Sequence, residues 1–179
     1  MSVVIKTPEQ IFKGKKISGY INADFMWSEY ISPAEGLPTL DELHNAKKIM
    51  DIASIYKHKV FGGASMTVTS GGRSWAHHLR IYAELNAQRA KKKPALPPLP
   101  IPKASWHLKF LAVDVTVKGF TNKQVYEKLD AVHYGGVEFP DDQNRIHFDL
   151  RNSICRFIGA TGRVVASHYN EVLHNKVFH

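Results

Sequence analysis

Along "LPTLDELHNAKKIMDIASIYKHKV" the apolar residues Leu43, Ala46, Ile49, Met50, Ile52, Ala53 and Tyr56 recur at helical spacing, so one face of a helix is set to enter a core. Thr39 and Glu42, three apart at its start, can satisfy each other's backbone N–H groups as a capping box. "FGGASMTVTSGGRS" then predicts a turn, a short β-rich strand and a Gly-rich turn, and "SWAHHLRIYAELNAQRAKKK" a second helix. The pattern breaks in "KKKPALPPLPIPK", which holds five of the nine prolines and four lysines with no acid. Proline removes donors and fixes φ, so the chain at about 91–103 reads as an extended surface loop.

"HLKFLAVDVTV" predicts a strand, "TNKQVYEKLDAVH" a helix capped by Thr121 and Gln124, and "GGVEFPDDQ" a loop. "NRIHFDL" reads as a strand, "CRFIGATGRVVAS" as a hairpin, and "HYNEVLHNKVF" as a final helix within a C-terminal tail that starts at about 152. Helices and strands mix without a βαβ repeat. The expected class is therefore α+β: a single domain, 1–179, with a central antiparallel sheet flanked by helices.

Composition narrows the chemistry. At 179 residues and 44% hydrophobic, the chain suffices for one core. Its net charge of +8 predicts attraction to an anion, whether nucleic acid, membrane surface or cell-wall polymer. "MSVVIKTPEQIFKGKK" has no apolar run long enough for a signal peptide, and no later segment is suited to span a bilayer, so synthesis in the cytoplasm is expected. A lone cysteine, Cys155, excludes an internal disulfide and a CxxC site; a metal would need His and carboxylate ligands, and ten histidines are on offer.

His107 and Asp114 sit in the apolar "SWHLKFLAVDV", an odd number of residues apart. On a regular strand they face opposite sides, so they converge only if His107 lies in the loop before the strand or a bulge intervenes. In "RIHFDL" alternation places His147 and Asp149 on one face, with Ile146 and Phe148 on the other. Two histidines and an aspartate with an open fourth position form a catalytic type of zinc site; isolated, each is an ordinary hydrogen-bonded residue.

These same stretches resemble the signatures of the zinc D-Ala-D-Ala carboxypeptidases and endolysin-type metallopeptidases (family M15), whose fold is shared with hedgehog signalling domains. "SWHLKFLAVDV" is similar to SxHxxGxAxD through Ser105, His107, Ala112 and Asp114, with Phe110 in the glycine position. "VTSGGRS" resembles SGYRS, Arg73 matching the arginine and Gly72 replacing the aromatic. "GGVEFPDDQNRIHFDLR" resembles GGxGxYPxxxFVHVDxR through His147, Asp149 and Arg151, and "DFMWSEYI" a short opening segment. The resemblance runs to about Arg151 and leaves the tail unaccounted for.

By this resemblance His107, Asp114 and His147 hold Zn2+, and Arg73 meets a peptide carboxylate, a task suited to a guanidinium. Ser105 orients a ligand or touches substrate. The family's acid three residues before the last histidine is here Asn144, which cannot take a proton; Asp141, ahead of Asp142, is the expected proton acceptor, and Asp149 supports His147 or the zinc water from about 5–7 Å. The implied activity is hydrolysis of a peptide bond in bacterial peptidoglycan by a phage or prophage lysin, as carboxypeptidase or endopeptidase, acting at the wall after release or as part of a phage particle. The proline-rich loop could shape the cleft or grip a polymer. His77 and His78 are expected as surface or packing residues, and His133, His168, His174 and His179 have no nameable partner. Two rivals remain: a non-catalytic zinc-binding or structural module of the same fold, for which Asn144 argues, and a basic nucleic-acid-binding protein, for which only the charge and "QRAKKK" argue. No specific nucleic-acid motif is present, and the sequence sets no oligomeric state.

Overall fold

The computed structural model describes residues 7–13, 16–31, 37–139, 144–158 and 163–179. The chain opens with a short helix α1 (Pro8–Ile11), a small ribbon of β1 (Phe12–Lys13) and β2 (Lys16–Ile17), and a helical turn α2 (Trp27–Tyr30). Helix α3 (Leu40–Ile55) follows, continued by a wider π turn (Tyr56–Val60), and then strand β3 (Met66–Ser70) and helix α4 (Trp75–Ala90). After the proline-rich segment come a 3-10 turn (Trp106–Lys109), β4 (Ala112–Val117), α5 (Asn122–Val132), β5 (Gly136–Phe139), β6 (Ile146–Asp149), β7 (Cys155–Ile158), β8 (Arg163–Val164) and α6 (Glu171–Phe178).

Both capping boxes form. Thr39 Oγ1 accepts from Glu42 N at 3.2 Å and Glu42 Oε2 from Thr39 N at 2.6 Å, and Thr121 with Gln124 repeats the arrangement at 3.3 and 2.8 Å. Replacing such a cap by alanine costs about 1 kcal/mol. The apolar stripe of α3 is the buried one, from Leu43 through Ala46, Ile49, Met50 and Ala53 to Tyr56, with Ile52 at its margin.

Six strands form one sheet in the order β3-β4-β6-β5-β7-β8. The class is α+β as expected, but the sheet is mixed rather than antiparallel throughout, because β5 pairs parallel with β7. "GGVEF", expected as loop, is strand β5: it is inserted between β6 and β7, and cross-strand bonds hold it extended despite its two leading glycines. The inward faces of β4, β5 and β6 place Val113, Val115, Val137, Ile146 and Phe148 in the core against α3 and α5. Among the described residues no helix is long and apolar enough to cross a membrane.

The tail is tied down. Helix α6 packs beside α5, where Asn170 N donates to Ala131 O and the His174 ring to Val132 O, and the Phe178 ring meets Tyr56 edge-on.

Candidate metal centre

His107 lies in the 3-10 turn before β4, and so the parity conflict with Asp114 disappears. Phe110 closes that turn in the left-handed region at φ 57°, a conformation usual for glycine, and its ring fills the space above Gly72. A Cβ on Gly72 would fall 2.2 Å from Phe110 Cδ1. The two positions at which the chain differs from the signatures it resembles, Gly72 and Phe110, therefore meet in space.

Asp114 and His147 are direct partners across β4 and β6, so their side chains leave the same face of the sheet. His107 Nε2, His147 Nδ1 and Asp114 Oδ1 converge there, with separations of 3.1 Å between the two rings, 3.2 Å from His107 to Asp114 and 2.9 Å from His147 to Asp114. All three residues are buried and could hold a metal ion. The second oxygen, Asp114 Oδ2, accepts no hydrogen bond from any described residue, although Arg145 Nε lies 2.7 Å away.

Each histidine is oriented from behind. His107 Nδ1 donates to Gly71 O at 2.7 Å; a carbonyl can only accept, so Nδ1 carries the proton and Nε2 keeps a lone pair for the cluster. His147 Nε2 donates to Asp149 Oδ2 at 3.1 Å, which frees Nδ1 in the same way once a cation replaces its proton. That separation is shorter than the 5–7 Å expected, because the imidazole leans along the strand toward its neighbour. Asp149 is wholly buried and clamped by Arg151 through Nε at 2.8 Å and Nη2 at 2.6 Å. It stands behind His147 and does not line the cleft.

Electrostatics follow from these contacts. Burial lowers His107 and keeps it neutral. Burial opposes ionisation of Asp114 too, but the two histidines outweigh it and hold the carboxyl well below its usual range. For His147 burial disfavours the imidazolium, yet the bonds and charges of Asp114 and Asp149 prevail and raise it to about 9. Two carboxylates thus favour positive charge at His147, while His107 stays neutral.

The paired glycines of "GGVEF" gain a local reason. Gly135 sits at φ 150°, and a Cβ on it would fall 2.5 Å from His133 Nε2; one on Gly136 would fall 2.6 Å from Asp149 Oδ2. Side chains at either position would disturb the groups behind His147.

A cleft of about 450 Å³ opens over the cluster. Arg73, Ser105, Trp106, Arg145, Arg151 and Phe157 line it around the two histidines and Asp114. Arg73 is largely buried, and its backbone N donates to His107 O at 3.2 Å, which locks the Gly-rich turn to the ligand turn. The opposite wall is Ile81, Tyr82 and Leu85 of α4 with Leu99, Pro102 and Ala104. The proline-rich segment lies back along α4: Asn86 brackets Leu99 through both its backbone groups, Arg89 Nε donates to Pro97 O, and His78 Nε2 to Pro102 O. Side chains of α4 thus serve carbonyls that a proline-rich chain cannot pair with its own N–H groups.

The structure brings Arg73, Ser105, His107, Asp114 and His147 to one cleft, while Asp141 and Asp142 lie outside the described residues. Sequence reasoning missed Glu138, a cleft residue on a strand taken for a loop, and Arg145 beside Asp114. It also missed His133, which is buried with Nε2 donating to Asp149 O at 2.8 Å and Nδ1 accepting from Tyr56 Oη at 2.7 Å. Only the acid alternating with Val137 and Phe139 hinted at Glu138; His133 gave no local sign, since its partner Tyr56 is 77 residues away.

Comparison with family models, curated proteins and solved structures returned no match.

Proposed function

We propose that this chain is a zinc peptidase that hydrolyses a peptide bond in bacterial cell-wall peptidoglycan, in the manner of a phage or prophage lysin, on the fold shared by D-Ala-D-Ala peptidases and hedgehog domains. The observation that carries the reading is the convergence of His107 Nε2, Asp114 Oδ1 and His147 Nδ1 within 3.2 Å of one another at the base of a cleft. Bonds of about 2.0–2.1 Å to a tetrahedral zinc place ligand atoms about 3.3 Å apart, so the donor set fits the ion with little movement. The outer bonds of the two histidines to Gly71 and Asp149 suit the same occupant.

When bound, zinc supplies Lewis acidity, polarising a carbonyl and lowering the pKa of water to about 7. The chain's own residues do the rest. Arg73 offers a guanidinium to a peptide carboxylate, the wall of Ile81, Tyr82, Leu85 and Leu99 excludes water from the other side, and Arg145 and Arg151 add positive charge around the opening. The overall +8 favours an anionic wall polymer.

The test pairs metal analysis with loss of turbidity of purified peptidoglycan. One zinc per chain and hydrolysis abolished by Asp114→Ala are expected. A chain free of zinc after growth in zinc-supplemented medium, or one whose zinc content survives His147→Ala, sinks the reading. Asn144 in place of the family's acid favours a second one, a zinc-holding module that binds the wall without cutting it; zinc and wall binding without any hydrolysis selects it.

A further inference from the structure

Asp149 is committed to His147 and Arg151, and Asn144 has no basic group, so the cleft needs its proton acceptor elsewhere. Strand β5 supplies a carboxylate. It pairs with β6 through Gly136–Asp149 and Val137–Phe148, and the same register carried one residue further brings Glu138 to the level of His147. A Cβ on Gly136 would point at the carboxylate of Asp149, so Gly136 looks out on the metal face, and alternation puts Glu138, two residues on, on that face as well. On its other side Glu138 is in register with Phe157 of β7, whose ring meets His147 at 5.8 Å. One row thus runs across four strands, Asp114, His147, Glu138 and Phe157, and every member lines the cleft.

We propose that Glu138 is the proton acceptor of this cleft, a catalytic residue in place of the acid absent at Asn144; the assignment rests on the peptidase reading above. As water oxygen bonds to the scissile carbonyl carbon, the water proton passes to the Glu138 carboxylate and the carbonyl π pair moves onto oxygen. As the C–N bond breaks, its electron pair goes to nitrogen, which takes the proton back from Glu138. The products are a carboxylic acid and an amine, and no other reactant is consumed. Glu138 is half-buried on a paired strand, which holds it in place while leaving it open to the cleft.

The test uses the zinc-loaded full chain and two readouts. Glu138→Gln keeps shape and removes basicity, and is expected to lower turnover of peptidoglycan by about 100-fold or more with one zinc per chain retained. The second readout needs no turnover: acetohydroxamate binds zinc as an anion, and calorimetry in buffers of different ionisation enthalpy counts the proton it gives up. The parent should release close to no proton to buffer because Glu138 takes it, Glu138→Gln about one per hydroxamate, and Glu138→Asp an intermediate number. An unchanged proton count in Glu138→Gln, loss of its zinc, or proton release in Asp141→Asn instead overturns the assignment. If the parent cuts no wall preparation yet the count still depends on Glu138, the substrate reading fails and the proton acceptor stands.

Discussion

Asp114 and Asp130 are both buried carboxylates, each with an arginine and a histidine beside it, and the fold treats them in opposite ways. Around Asp130 every position is filled. Arg156, itself fully buried, gives Nε to Asp130 Oδ1 at 2.5 Å and its remaining nitrogens to the carbonyls of Asp130, His133, Gly135 and Cys155, while Ser167 and His168 bond the carboxylate from the tail. Around Asp114 the arginine reaches one oxygen from a half-exposed side chain, and two ring nitrogens point at the other from a cleft wall. The difference teaches that buried charge does not by itself mark a site. A saturated cluster is a lock, here fastening the C-terminal tail to α5; a cluster of convergent lone pairs with an opening to solvent is a place for a cation.

The lock should therefore be the costlier to break. Arg156→Ala leaves Asp130 buried without its cation, and chemical denaturation should show a loss of about 3–5 kcal/mol with zinc affinity close to the parent's. Arg145→Ala, at a half-exposed side chain, should change stability by no more than about 1 kcal/mol. Equal costs for the two arginines would erase the contrast.

His133 sits between the clusters, bonded to the backbone of Asp149 and to Tyr56, and burial brings it from 6.5 down to about 4. Between these values the unfolded chain binds a proton that the folded chain refuses, so stability should fall as pH drops from about 6.5 to about 4, by roughly 3 kcal/mol. Denaturant midpoints across that range measure it, and His133→Gln should flatten the dependence. A parent with no slope there would mean that His133 is not held neutral.

At the candidate metal cluster the outer support should be worth less than one of the three convergent groups. Asp149→Asn removes the charge that orients His147 and should weaken zinc binding about 10- to 100-fold in competition with a chelator. Gly136→Ala should act in the same direction, because its methyl group meets Asp149. Unchanged affinity in both would leave His147 held by its strand alone.

What was legible in the chain was local. The capping boxes at Thr39 and Thr121 and the stripe of α3 depend on residues three and four apart, and they formed as read. The conflict between His107 and Asp114 left two resolutions, a His107 in the loop before the strand or a bulge within it, and the 3-10 turn supplies the first. What stayed hidden depends on partners distant in sequence. Strand β5 is four residues long and is defined by β6 and β7; without it the parallel pairing, the use of Gly136 and the placing of Glu138 could not be seen. Arg156 read as an ordinary hairpin residue, because the carbonyls it serves come from the end of α5 and the turn after it.

The smallest net effect is expected where two changes compensate. Phe110→Gly should cost about 2–4 kcal/mol, since losing a buried ring outweighs the roughly 1–2 kcal/mol relieved at its left-handed backbone. Gly72→Tyr should cost about 1–3 kcal/mol by driving a side chain into that ring. Made together, they exchange an aromatic and a glycine between 72 and 110, and the pair should lie within about 1 kcal/mol of the parent in urea denaturation, a strongly non-additive cycle. Gly72 has no positive φ to oppose a side chain, and the three atoms nearest a Cβ there all belong to the ring that is gone in the double variant. If the two costs simply add, the packing of Phe110 over Gly72 is not an exchange of volume, and the turn that carries Arg73 is held by other contacts, Tyr30 against Gly71 first among them.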